Sequence, residues 1–74
     1  MNILITGGSG FFGMAFAAWA VSECDKVVVY SRDEVKQAAM RQRMGSDRLR
    51  WMIGDVRDLP RLSRAMYGID FVIH

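Results

Sequence analysis

Apolar positions in this chain fall into short unbroken runs separated by longer amphipathic stretches. Asn2 to Thr6, Lys26 to Tyr30, Leu49 to Ile53 and Phe71 to Ile73 are too brief for helices and predict strands, the first in particular covered on both faces. Phe11 to about Glu23 is apolar nearly all round, with Phe12, Ala15, Phe16 and Trp19 on one stripe, and predicts a helix buried on more than one side. Its aromatic residues are expected to pack in the core. Ser31-Arg32-Asp33-Glu34 has the Ser-x-x-Glu spacing of a capping box, so a second helix is expected there, ending near Met44 with Gly45 as its stop. Val35, Ala38, Ala39 and Gln42 recur along it at helical spacing, leaving Lys36, Arg41 and Arg43 solvated. Asp58 can cap a short third helix that tolerates Pro60 in its first turn, with Leu59, Leu62 and Met66 on one face and Gly68 as its end.

The resulting order, β-α-β-α-β-α-β, predicts an α/β fold with a parallel, doubly wound sheet and right-handed crossovers. The expected strand order is 3-2-1-4, which makes the first strand central and puts the switch point above it. Met1 to Gly13 passes from strand through Gly7, Gly8, Ser9 and Gly10 into a helix N-terminus. Free N–H groups and the positive end of a helix dipole there suit a pyrophosphate. Gly7 would make the tight turn, Gly10 would admit the phosphates, and Gly13 would let helix and strand approach. The spacing is Gly7-x-x-Gly10-x-x-Gly13, not G-x-G-x-x-G, and it is the strand-to-helix context that points to nucleotide binding.

Composition narrows this only a little. Among 74 residues, 51% are hydrophobic, which describes a globular chain about half the size of an ordinary α/β domain. A net charge of +2 argues for no nucleic-acid partner, although all ten Lys and Arg lie between Lys26 and Arg64. The single Cys24 fits a reducing compartment and reads as a buried or helix-end thiol. The uncharged start, with Ala18-Trp19-Ala20, mimics an export signal, but no basic residue precedes it. Its apolar run is only about eleven residues, short of the roughly twenty that span a bilayer. No membrane insertion is expected.

The end of the second strand reads the nucleotide. A carboxylate there favours the free ribose of NAD, whereas Tyr30-Ser31-Arg32 offers a guanidinium and a hydroxyl to the 2′-phosphate of NADP, with Lys36 one turn on. NADP is the expected cofactor. Asp33 leaves NAD open, because a swing of one position would put a carboxylate near the ribose, and Ser31 and Arg32 can also serve simply as cap and solvated residue. Asp55 sits where a side chain can accept from the adenine amino group, with Val56 beside the ring.

Taken together, ILITGGSGFFG, VVVYSRDEVKQ, IGDVRD and FVIH resemble the start of the extended short-chain dehydrogenase/reductase family. More narrowly, they are similar to the bacterial nucleotide-sugar 4,6-dehydratases of the polysaccharide-biosynthesis group, which act on UDP-N-acetylglucosamine. That resemblance implies the N-terminal half of a Rossmann-type sheet, over residues 1–74, cut at the fourth strand and without a substrate domain. It implies pyrophosphate contacts from Ser9, Gly10, Phe11 and Phe12, 2′-phosphate and ribose recognition from Ser31 to Lys36, and adenine contacts from Asp55 and Val56. It further implies a cytoplasmic enzyme that removes water from a UDP-sugar for surface glycans, and association through an uncovered sheet edge or as a homo-oligomer.

The family's Tyr-x-x-x-Lys pair is missing. Glu34 stands four residues after Tyr30, and Phe71 four after Tyr67. No catalytic residue is therefore expected in these 74 residues, and His74 is read as structural or peripheral. A non-catalytic NADP-binding or sensor module is the alternative.

Overall fold

The computed structural model describes residues 1–7 and 11–74; Gly8, Ser9 and Gly10, and the side chains of Phe11 and Phe12, lie outside the described residues. Seven elements alternate along the chain: β1 (Asn2–Thr6), α1 (Phe11–Glu23), β2 (Lys26–Ser31), α2 (Glu34–Arg43), β3 (Leu49–Ile53), α3 (Leu59–Ala65) and β4 (Phe71–Ile73). The four strands form one parallel sheet in the order β3-β2-β1-β4, as the alternation of elements predicts. Leu4 stands between Val28 and Val72, and Val29 pairs with Trp51.

Alternate residues of the central strands feed opposite faces of this sheet, because successive side chains point to opposite sides. Ile3, Ile5, Val27 and Val29 join Ala17, Ala20, Cys24, Met40 and Leu49 under α1 and α2. Leu4, Val28 and Tyr30 face the other way with Ala65 of α3. Cys24 is buried, as its position at a helix end suggested. Among the described residues no helix is long and apolar enough to cross a membrane.

Several expectations about helix faces need correcting. Trp19 is not in the core but 55% exposed, tilted against the half-buried Phe16 with ring centroids 5.4 Å apart. The buried stripe of α1 is Gly13, Ala17 and Ala20. An all-round apolar helix carries no polar face to set its rotation, and small side chains win the side that must approach a sheet closely. In α2 the face is set by Gln37 and Met40, while Val35 is 80% exposed and Ala38, Ala39 and Gln42 also face outward. The capping box does not form either. Ser31 is the last residue of β2, and Asp33 is the N-cap, accepting from the Lys36 N–H at 2.9 Å. Pairing of Ser31 with Ile53 carries the strand one residue further than its apolar run, and the helix starts later for that reason.

Gly45 does not adopt a left-handed conformation; α2 ends at Met44, whose N–H donates to Met40 O. Asp58 does cap α3, and Gly68, at φ +73°, turns the chain toward β4. On α3, however, Leu62 and Ala65 face the sheet, leaving Leu59 67% exposed and Met66 exposed. Seven residues make barely two turns, too few to bury a whole three-residue face on one strand pair.

Candidate functional site

Parallel strands present all their carboxyl ends along one edge of the sheet, and a cleft opens there. It has a volume of about 550 Å³. Thr6 and Gly7 reach it from β1, Tyr30 to Arg32 from β2, Gly54 to Arg57 from β3, and His74 from β4. A second groove of about 590 Å³ shares Gly7, Ser31 and Arg32 and continues to Asp33, Glu34 and Val35.

Two glycines shape the floor. Gly7 turns the chain out of β1 at φ +66°, its N–H donating to Tyr30 O at 3.1 Å, and a Cβ there would meet no atom within 4 Å. Gly54 is constrained from below: a Cβ would lie 2.5 Å from Tyr30 Cζ and 2.7 Å from Cε2. That lets the fully buried Tyr30 ring slide beneath the loop and donate its hydroxyl to Asp55 O at 2.8 Å. Burial pushes the Tyr30 phenol up from its ordinary range, so the group stays a neutral donor.

Above that anchor, the Asp55 carboxylate stands between Arg32 and Arg57. Its Oδ1 accepts from the Arg57 backbone N–H at 2.8 Å and from Nε at 3.1 Å, and its Oδ2 accepts from Nη2 at 2.9 Å. Arg32 Nη1 approaches Oδ2 at 3.6 Å. The Arg57 side chain foremost, then its backbone N–H, hold the Asp55 carboxyl well below the usual carboxylate range, and the Arg32 charge adds to this. Ser31 is buried and its hydroxyl accepts from Gln37 Nε2 at 2.9 Å, which leaves its own O–H to donate. His74 Nδ1 lies 2.6 Å from Thr6 Oγ1, tying β4 to β1 at the rim.

Of the residues singled out in the sequence, Gly7, Ser31, Arg32, Asp55 and Val56 line one cleft, and Asp33 lies in the adjoining groove. The Asp33 carboxylate is turned to the start of α2, with Lys36 Nζ 4.0 Å from its Oδ2. Lys36 lines neither space. Gly13 is buried in α1, and Ser9 and Gly10, with the side chains of Phe11 and Phe12, lie outside the described residues. Tyr30, Gly54 and Arg57 were missed as site builders. The glycine directly before Asp55 was the available signal for a close approach, but nothing in the sequence says which ring lies beneath it.

Chemically, the cleft offers an exposed guanidinium for an anion, a carboxylate for an amino group and the backbone of Gly7 at the end of β1. The sequence pattern of the family described as polysaccharide biosynthesis protein matches residues 3–74. The chain belongs to this family. It is 49% identical over 75 residues to the UDP-N-acetylglucosamine 4,6-dehydratase (inverting) of Campylobacter jejuni, covering 99% of this chain and 22% of that enzyme. The UDP-glucose 4-epimerase of Rickettsia conorii is 36% identical over 78 residues, covering 99% of this chain and 23% of the epimerase. Under a quarter of the length of these curated relatives is thus spanned by the chain. Among solved structures, Pen from Bacillus thuringiensis superposes with a TM-score of 0.90 at 36% identity, over 99% of this chain and 24% of Pen. The dTDP-glucose 4,6-dehydratase of Bacillus anthracis, solved in complex with NAD, shares the fold at a TM-score of 0.82 and 18% identity, over 97% of this chain and 25% of that one.

Proposed function

We propose that this chain is the NADP-binding portion of a nucleotide-sugar 4,6-dehydratase acting on UDP-N-acetylglucosamine in bacterial surface-glycan synthesis. The observation that carries the reading is the cleft edge where Arg32, 73% exposed, and Asp55 stand together while Asp33 is used as a helix cap. In this reading Arg32 and the Ser31 hydroxyl take the 2′-phosphate, Asp55 accepts from the adenine amino group with Val56 beside the ring, and Ser9, Gly10, Phe11 and Phe12 receive the pyrophosphate. The cofactor would supply hydride transfer to and from the sugar.

The choice of sugar nucleotide is supported by the 49% identity to a UDP-N-acetylglucosamine 4,6-dehydratase. We place the protein in the cytoplasm, where NADP and UDP-sugars are held. Neither Tyr30 nor Tyr67 has a lysine four residues on, so these 74 residues are expected to bind cofactor without converting UDP-N-acetylglucosamine. Phe71 and Val72 of β4 are 58% and 43% exposed on an edge strand, which supports association through that edge. Size-exclusion chromatography of the chain as a soluble monomer would remove that part of the proposal.

Titration of the chain with NADPH and NADH, following Trp19 and Trp51 fluorescence, tests the central claim. NADPH binding at least about tenfold tighter supports it, and equal binding sinks it in favour of Asp33 at the ribose.

A further inference from the structure

The Asp55 carboxylate stands between two guanidiniums that hold it unequally. Arg57 grips both oxygens through its backbone N–H, Nε and Nη2, all within 3.1 Å. Arg32 reaches the same Oδ2 only at 3.6 Å, as an ion pair. We propose that Arg57 is a positioning residue that satisfies Asp55 so that Arg32 stays free to bind a 2′-phosphate. The proposal rests on the reading of Arg32 given above, and it adds a selectivity determinant on the loop that follows β3.

The physical argument is competition for one cation. A carboxylate whose charge is already met by a bidentate fork and a backbone N–H attracts a second guanidinium only weakly, while the acceptor position left on Oδ2 still suits a neutral amino group. Without the Arg57 side chain, Asp55 keeps its negative charge, and Tyr30 still pins its backbone in place. Arg32 is then the neighbouring cation that remains among the described residues, and its 73% exposed side chain is free to swing onto Oδ2. A phosphate must then displace a carboxylate from Arg32. Arg57 is itself 80% exposed, so its loss removes little packing.

The test is calorimetric titration of the 74-residue chain with 2′,5′-ADP and with 5′-AMP, which differ only in the 2′-phosphate. The wild type is expected to prefer 2′,5′-ADP by about tenfold or more, and Arg57→Ala to reduce the preference to about threefold or less. Arg57→Gln, which keeps length and polarity, is expected to behave like Arg57→Ala. Arg57→Ala combined with Asp55→Asn should recover the wild-type preference, since a neutral side chain no longer holds Arg32. A structural role for Arg57 would weaken both ligands alike and show no such recovery. An unchanged preference in Arg57→Ala, or no recovery in the double variant, overturns the proposal while the Arg32 reading stands. A wild type with no preference, or a preference that survives Arg32→Ala, overturns the Arg32 reading and the proposal with it.

Discussion

The two ends of the sheet use the same kinds of polar residue for opposite purposes. At the amino ends, side chains and backbone close on one another. The Met1 ammonium pairs with Asp25, and the Asp25 N–H donates to Met1 O at 2.8 Å. Asn2 N–H donates to Asp70 Oδ2 at 2.7 Å, and its side chain donates to Gly68 O at 3.0 Å. Arg48 Nη1 donates to Val21 O at 3.2 Å, clipping the end of α1 to the turn before β3. The loops at this edge are thus stapled to their neighbours. At the carboxyl ends the polar groups are held just as firmly, but around a cleft. Gly7 opens the backbone, Gly54 lets the floor drop onto the Tyr30 ring, and Arg32, Asp55 and Arg57 stand along the rim. Aspartates and arginines thus make a seal or a site according to what the neighbouring backbone leaves open.

Substitutions at each end sharpen this contrast. The largest effect is expected from Gly54→Ala. Its new methyl meets the ring of the fully buried Tyr30, so we expect a loss of about 3 kcal/mol in urea unfolding together with loss of nucleotide binding. Arg32→Ala should leave the urea midpoint close to wild type yet weaken NADPH about ten- to a hundredfold, with NADH within about twofold, by fluorescence titration. A matching loss for both nucleotides would place Arg32 outside phosphate recognition.

At the sealed end the pattern inverts. Asp70→Ala removes the acceptor for Asn2 N–H and should cost about 1 kcal/mol of stability, with the NADPH-to-NADH ratio unchanged. If that ratio shifts, the two ends are coupled and the division drawn here fails.

The smallest effect belongs to the Met1–Asp25 pair, which is exposed and therefore strongly screened. Its side-chain hydrogen bond with Asp25 raises the Met1 amino group from 8.0, so that contribution is present below 8.0 and fades as pH rises through the raised value. The same bond lowers Asp25 from 3.8, so its contribution is present above 3.8 and fades as pH falls through the lowered value. Wild type should therefore exceed Asp25→Asn in urea midpoint only between those limits, and a difference that persists in strong acid would mean that another group is responsible.

Much of the architecture was legible because strand and helix periods differ. Four short apolar runs separated by helix-length segments leave few arrangements other than a parallel sheet, and the observed strand order is the expected one. Helix rotation was not legible. In α1 nearly every position is apolar, so the sequence could not choose between the aromatic stripe and the small-residue stripe, and proximity to the strands selected Ala17 and Ala20. In α2 the buried residues include Gln37, a polar side chain that no hydrophobic pattern marks. It is buried because its amide donates to Ser31 Oγ and to Met52 O at 3.0 Å.

The sequence by itself determined the alternation of elements, the glycine turn after β1, and the grouping of Arg32, Asp55 and Val56 at strand ends that must share one edge. These follow from local periods, from backbone freedom at Gly7, and from the single direction of a parallel sheet. Only the tertiary structure decided that Tyr30 lies beneath Gly54, that Asp33 caps α2, and that Arg57 competes with Arg32 for Asp55. Those are contacts between side chains, or between a side chain and a loop, set within a few ångströms by how strands and caps come to rest. No one-dimensional pattern records such distances.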